Sequence, residues 1–310
     1  MYERSLIMAL YAETSLHVGS GSSFGVVDLP IQREKYTDFP MCAASGLKGA
    51  VREWFERRDG TKGTDRQGKD PVSLVFGPEN GSEYASSVSF GDARILLFPV
   101  KSAKGVFAWV TCPLVFNRFL IEMSRAGYAG LPNQLTKDND KAGIERHGEL
   151  ELIGQKILLE ENVFEISENL SVSMKGLGEW VAGNLLPRGE EYKFWRDSVP
   201  SRLIILPDDD FKYFVKHSTE VNARIKLSEK KTTDNGGNLF YEENLPPESL
   251  LYAPVFASRP RGPLDPELKD ADSVVRYLKA LDGKRMQLGG DETVGRGIMN
   301  VRMPEQGGTK

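Results

Sequence analysis

Asp28 is the one carboxylate in the run Gly25-Val26-Val27-Asp28-Leu29-Pro30, which follows a glycine- and serine-dense stretch beginning just after His17. A lone loop carboxylate can hold a divalent ion against a phosphoryl oxygen or orient a nucleophilic hydroxyl. It can equally satisfy a turn. His17 carries a similar double reading, as a general base or as a hydrogen-bonded residue at the end of a strand. Further along, Tyr241, Glu242 and Glu243 offer acidic and stacking groups on what otherwise reads as a solvated strand.

A second group is cationic. In Ser45-Gly46-Leu47-Lys48-Gly49-Ala50-Val51-Arg52 the free N–H groups of a helix start stand beside Lys48 and Arg52, an arrangement suited to a phosphodiester backbone. An ordinary amphipathic helix with solvated cations has the same pattern. The third group is the tail segment Gly289-Gly290-Asp291-Glu292-Thr293-Val294-Gly295-Arg296-Gly297. Successive glycines let backbone amides approach phosphates closely, although the order of residues is not that of a nucleotide P-loop. A bare glycine-rich turn reads the same way. Strand composition on both sides suits a loop lying across a sheet face, as in single-stranded nucleic-acid binders.

These residues need elements to hold them. The apolar run over 6–14 predicts a buried strand, and the Gly/Ser stretch after it predicts an exposed loop carrying Asp28. The spacing of Leu47, Ala50, Val51, Trp54 and Phe55 predicts a helix over 45–58 with Ser45 as its cap. Neighbouring strands are expected over 88–100 and 106–111, then a helix over 113–125. Residues 59–69 and 127–148 lose apolar periodicity and read as mobile insertions within one domain over 1–310. Asp208, Asp209 and Asp210 read as the first turn of a helix over 208–217, where the helix dipole favours negative charge. Residues 220–245 read as a hairpin around a polar turn rich in Asn and Gly.

Composition removes several alternatives. The 310 residues carry 40 Lys and Arg against 44 Asp and Glu, a net charge of −4, so gross electrostatics names no partner. With 2 cysteines and 3 histidines, none at paired ligand spacing, neither a disulfide framework nor a resident zinc centre is expected, and a reducing cytoplasm fits. No stretch approaches the ~18 apolar residues of a membrane span.

The blocks Tyr11 to Gly21, Gly25 to Glu34 with its Asp-Leu-Pro-Ile-Gln-Arg core, Ser45 to Arg52, Phe76-Gly77 and Gly289 to Gly297 together resemble the RAMP superfamily. Within it they are most similar to the repeated backbone subunit of the type III-B CRISPR effector, the Cmr complex. That resemblance implies an α+β fold: a ferredoxin-like, RNA-recognition-motif-type palm with finger-like insertions and a β-hairpin thumb, here over 220–245. It implies guide CRISPR RNA, complementary target RNA, further copies of the chain and other Cmr subunits as partners. It also implies a divalent metal, Mg²⁺ or Mn²⁺, recruited with the RNA, and an endoribonuclease that cuts target at regular intervals by attack of a 2′-hydroxyl on the adjacent phosphate. Under it the catalytic set is Asp28, with His17, Tyr241, Glu242 and Glu243 near the same cleft. The RNA-binding set is Ser45, Gly46, Lys48, Gly49, Arg52, Gly289, Gly290, Gly295 and Arg296. A scaffold of the same superfamily that binds guide RNA and leaves cutting to another subunit is the alternative.

Overall fold

In strand β1 (Arg4–Ala12) every residue from Leu6 onward is buried. A strand does this only when both its faces are covered, which a run of apolar residues without alternation already demands. In the computed structural model, residues 2–61, 70–79, 83–138, 141–145, 148–171, 174–225 and 239–306 are described. After β1 come β2 (Met41–Cys42), α1 (Ala44–Arg58), α2 (Pro71–Phe76), β3 (Val88–Phe90), β4 (Ala93–Lys101), β5 (Phe107–Thr111) and α3 (Pro113–Arg125). The middle of the chain holds β6 (Lys141–Ala142), β7 (Lys156–Leu159), β8 (Asn162–Ile166), α4 (Glu168–Ser171), α5 (Met174–Leu185), α6 (Lys193–Arg202), β9 (Leu203–Ile205) and α7 (Asp208–His217). The hairpin β10 (Glu220–Ile225) and β11 (Leu239–Asn244) follows, then β12 (Leu250–Ala257), α8 (Ala271–Leu278), β13 (Arg285–Gln287) and β14 (Ile298–Arg302).

The main sheet runs β13-β14-β1-β12-β4-β5-β9, with β2 added on β4 and β3 on β12. Its inner strands β14-β1-β12-β4 are the four strands of a ferredoxin-like unit, β1–α1–β4–β12–α8–β14, in the spatial order expected of that motif. The two helices of the unit lie side by side, with Phe55 of α1 stacked on Tyr277 of α8 at 4.6 Å between ring centroids. Everything from β5 to β11 is therefore an insertion between the second and third strands. It extends the sheet through β5 and β9, and its α3 covers a sheet face through Phe119 on Tyr252. Tyr11 and Tyr252 are buried beneath the insertion, Tyr252 against Phe119 and Tyr11 against Tyr192.

Local differences from the sequence reading have equally local causes. Ser45 does not cap α1, which begins one residue earlier after Ala43. The terminal N–H groups are taken from outside, Ala44 N by Asp92 Oδ1 at 2.9 Å and Ala43 N by Gln32 Oε1 at 2.7 Å. Asp208 does open α7, but its carboxylate also accepts from Leu114 N at the start of α3 and pairs with Lys137 at 2.6 Å. The described part of 127–148 is fastened rather than loose: Asn117 exchanges hydrogen bonds with both N–H and C=O of Leu135, and Trp180 donates to the Gly130 carbonyl. Residues 62–69 of the other expected insertion, the hairpin turn over 226–238 and His147 lie outside the described residues.

Two features of the insertion are open to direct test. Helices α5 and α6 touch at Gly178, where a Cβ would lie 2.5 Å from Pro200 Cα, whereas one at Gly176 would meet nothing within 4 Å. Gly178→Ala is expected to cost roughly 1–3 kcal/mol by overpacking, while Gly176→Ala gains roughly 0.5–1 kcal/mol from helix propensity. Thermal melts of the pair should move in opposite directions. At the junction of hairpin and sheet, Glu248 adopts a left-handed conformation (φ 69°) and its carbonyl accepts from the Trp109 indole at 2.9 Å. Burial pushes its carboxyl from the ordinary 4.5 up to about 7, and Oε2 has no hydrogen-bond partner. The folded chain therefore holds this proton more tightly than the unfolded one, so its contribution is full below pH 4.5 and is lost as pH rises through about 7. Glu248→Gln is expected to flatten the decline in Tm between pH 5 and 8 and to melt above the parent at pH 8; equal slopes would refute the assignment.

Candidate active site

Strand β11 has one neighbour in its hairpin, β10, paired from Glu220↔Asn244 to Ile225↔Leu239. Its other edge is where the predicted residues gather. The chain at Leu29 lies along that edge, with Leu29 N donating to Tyr241 O at 3.0 Å and Glu243 N donating to Leu29 O at 3.0 Å. One step back, Asp28 Oδ2 accepts from Tyr241 N at 2.7 Å, and the loop that Asp28 ends is closed by Ser23 N donating to Asp28 O at 2.8 Å. The Asp28 carboxylate is thus aimed by a strand backbone, with its second oxygen making no hydrogen bond among the described residues.

His17 is fixed to the same strand. Its Nδ1 lies 2.7 Å from the Glu243 carbonyl oxygen. A carbonyl can only accept, so Nδ1 is the donor, and in the tautomer this bond selects Nε2 is the nitrogen with the lone pair. A Cβ at Gly19 would lie 2.7 Å from that Nε2, and glycine there keeps the nitrogen clear. Asp28 and His17 therefore lie along one strand edge, Asp28 at Tyr241, which is 40% exposed, and His17 two residues further on at Glu243.

Glu242 and Glu243 are not presented in the same way. Both are buried, and both are committed to arginine. Glu243 pairs with Arg33 and accepts from Thr219 Oγ1 at 2.9 Å and Ile31 N at 3.0 Å. Glu242 pairs with Arg296 and, at 2.7 Å, with Arg224. Asp291 completes the second cluster at 2.9 Å from Arg224. Arg224 and Thr219 were not singled out in the sequence, since nothing in local spacing ties them to β11, and Asp291 lay inside the glycine segment without a role. Arg33 lay inside the Asp-Leu-Pro-Ile-Gln-Arg block but carried no role there.

The glycine segment packs against the end of the chain that carries His17. Gly290 N donates to His17 O and Gly297 N to Ser15 O, each at 2.8 Å. Gly289 has φ 80°, and a Cβ there would stand 2.3 Å from the His17 carbonyl oxygen. At Gly297, φ 70°, a Cβ would meet Leu288 O at 2.0 Å. The amides of Gly290 and Gly297 thus hold the segment against the backbone at His17 and Ser15, while that of Gly295 donates to Glu292 O at 3.0 Å within the segment. At α1, Ser45, Gly46 and Gly49 are exposed. Arg52 is bound to Glu56 at 2.7 Å and to the Gly77 carbonyl at 3.0 Å. Lys48 has no ion-pair partner among the described residues, and burial, with Arg52 nearby, draws its pKa below the usual lysine value.

Among the described residues no group of three or more His, Cys, Asp or Glu stands ready for a metal, and no helix is long and apolar enough to cross a membrane. The arginine cluster makes a quantitative expectation possible. Removing Arg296 leaves buried Glu242 with Arg224 as its remaining ion-pair partner, so Arg296→Ala is expected to cost about 2–3 kcal/mol. Arg57→Ala, whose pairs with Glu53 and Glu292 are exposed, should cost less than about 1 kcal/mol. Urea unfolding of both variants tests the difference, and equal midpoints would show that the cluster does not clamp the hairpin.

Comparison with known proteins bears on the whole of this arrangement. The sequence profile of the RAMP superfamily matches residues 9–300. The chain is 35% identical to the CRISPR system Cmr endoribonuclease Cmr4 of Pyrococcus furiosus over 316 aligned positions, 99% of each chain. It is 26% identical to the CRISPR system CMR subunit Cmr4 of Saccharolobus solfataricus over 94% of each. In three dimensions it is similar to the crystal structure of oligomeric Cmr4 from P. furiosus, with a TM-score of 0.72 and 28% identity over 97% of this chain and 98% of that one. The profile match spans both the ferredoxin-like unit and the insertion, as do these relatives, and on that evidence the chain belongs to the RAMP superfamily.

Proposed function

We propose that this chain is a guide-RNA-binding backbone subunit of a type III-B CRISPR complex and that it cuts complementary target RNA at Asp28. The observation that carries the reading is the β11 edge, where Asp28 and His17 are both held by backbone hydrogen bonds with one carboxylate oxygen and Nε2 left to act on a bound molecule. The full-length similarity to a protein named as a Cmr endoribonuclease supports it.

The reaction is a transesterification. The target 2′-oxygen bonds to the adjacent phosphorus as the bond from phosphorus to the 5′-oxygen breaks, leaving a 2′,3′-cyclic phosphate and a 5′-hydroxyl. His17 Nε2 accepts the 2′-hydroxyl proton and Asp28 orients that hydroxyl, while the leaving oxygen takes its proton from water. Such a step needs positioning and charge neutralisation more than a deep constellation. One available carboxylate fits a cation recruited with the substrate better than a resident one: a divalent ion would be held by Asp28 and RNA phosphate oxygens, where it would neutralise developing charge. In this reading Lys48 at the start of α1 meets the guide backbone, aided by the exposed Ser45, Gly46 and Gly49. The β10–β11 hairpin is the thumb, and other copies and other Cmr subunits are the partners. Two buried free cysteines, Cys42 and Cys112, suit the reducing cytoplasm in which guide and target RNA would be met.

The test uses the assembled complex, parent and Asp28→Ala, with labelled guide-complementary RNA in the presence and absence of Mg²⁺. A metal-dependent ladder of evenly spaced cuts is expected from the parent. In Asp28→Ala the ladder should fall by at least about 100-fold with target binding unchanged. Undiminished cutting by the variant would overturn the assignment, and tight binding without a ladder from the parent would make the chain a scaffold.

A further inference from the structure

We infer that Phe24 is a nucleobase platform that positions the target nucleotide for attack at Asp28, an inference that rests on the nuclease reading above. Phe24 stands fully exposed and Val26 nearly so, in a loop otherwise built of glycine, serine and Val27. The loop is not an arbitrary tip. Ser23 N donates to Asp28 O at 2.8 Å and Gly25 N to Ser23 Oγ at 3.1 Å, so the backbone bearing Phe24 is tied to the residue that bears the carboxylate. On the other side, Asp28 Oδ2 accepts from the N–H of Tyr241, whose ring is also exposed. Asp28 is thus tied through its backbone to the loop that carries Phe24 and through its carboxylate to Tyr241.

Phe24 contributes nothing to the core, and its exposed ring has the chemistry of a stacking surface. Single-stranded RNA is held on such rings because every base has a π-face. In a helical stack the 2′-oxygen is not in line with the bond to the 5′-oxygen. The scissile nucleotide must leave the stack, and an exposed ring on the loop that ends at Asp28 gives its base somewhere to go. Phe24 is accordingly a positioning residue, touching a base and not the reacting atoms.

The test uses the assembled complex with F24A and F24W, single-turnover cleavage at saturating target, the target Kd, and target RNA carrying 2-aminopurine at the scissile nucleotide. F24A is expected to slow cutting roughly ten-fold with target Kd changed by less than about three-fold. F24W should restore the rate. The change in 2-aminopurine emission on target binding should be shared by parent and F24W and absent from F24A. Parental cutting by F24A, with the parent active, would overturn the inference and leave the nuclease reading standing. Loss of assembly in F24A would overturn it too, by making Phe24 a contact between copies. A parent complex that binds target and does not cut would instead remove the nuclease reading, and this inference with it.

Discussion

The unpaired edge of β11 is the constraint on which the site depends. A strand edge presents N–H and C=O groups that must find partners, and here they find the Asp28–Leu29 backbone, the Asp28 carboxylate and the His17 ring. Because those bonds go to main-chain atoms, they fix position without dictating which side chains β11 carries. The same bonds leave one oxygen of Asp28 and Nε2 of His17 unspent. A hairpin that supplies backbone scaffolding on one edge is free to project its other features away from the sheet.

Charge is organised around that hairpin. Glu242 and Glu243 point to opposite sides of β11, and each is neutralised by arginines from distant parts of the chain: Arg224 and Arg296 on one side, Arg33 on the other. Buried pairs of this kind contribute little net stability compared with apolar packing, but breaking one is costly, so they act as latches that specify where the hairpin and the glycine segment meet. Most cations near the site are cancelled, and Lys48, without an ion-pair partner among the described residues, stands out at the start of α1.

The insertion that carries the hairpin also changes the use of the sheet. In a ferredoxin-like unit with its helices on one face, the other face is free. Here α3 lies against Tyr252 and the 3-10 turn at Tyr192 lies against Tyr11. With the sheet covered there, the exposed candidate residues sit on the loops at the β1 and β12 ends of the unit, where backbone geometry is set by glycines such as Gly19 and Gly289 that leave no room for a Cβ.

Much of this was legible in the residues themselves. The unbroken apolar run of β1 requires a strand covered on both faces, the periodicity from Leu47 to Phe55 requires α1, and Pro113 to Arg125 forms the helix its spacing predicts, because these patterns depend on neighbours within a few positions. The family blocks likewise singled out Asp28 and His17. Tertiary structure decided what each polar group does. It turned Glu242 and Glu243 from candidate acids into buried partners of arginine. It committed Arg52 to Glu56 and the glycine amides to the backbone around His17, and it replaced Ser45 with Asp92 as the partner of the α1 terminus. Apolar periodicity is a local property that one segment declares alone, whereas a charge or an amide is defined by the partner that folding brings to it, and apart from Glu56 most of those partners lie tens to hundreds of positions away in a sequence that does not announce them.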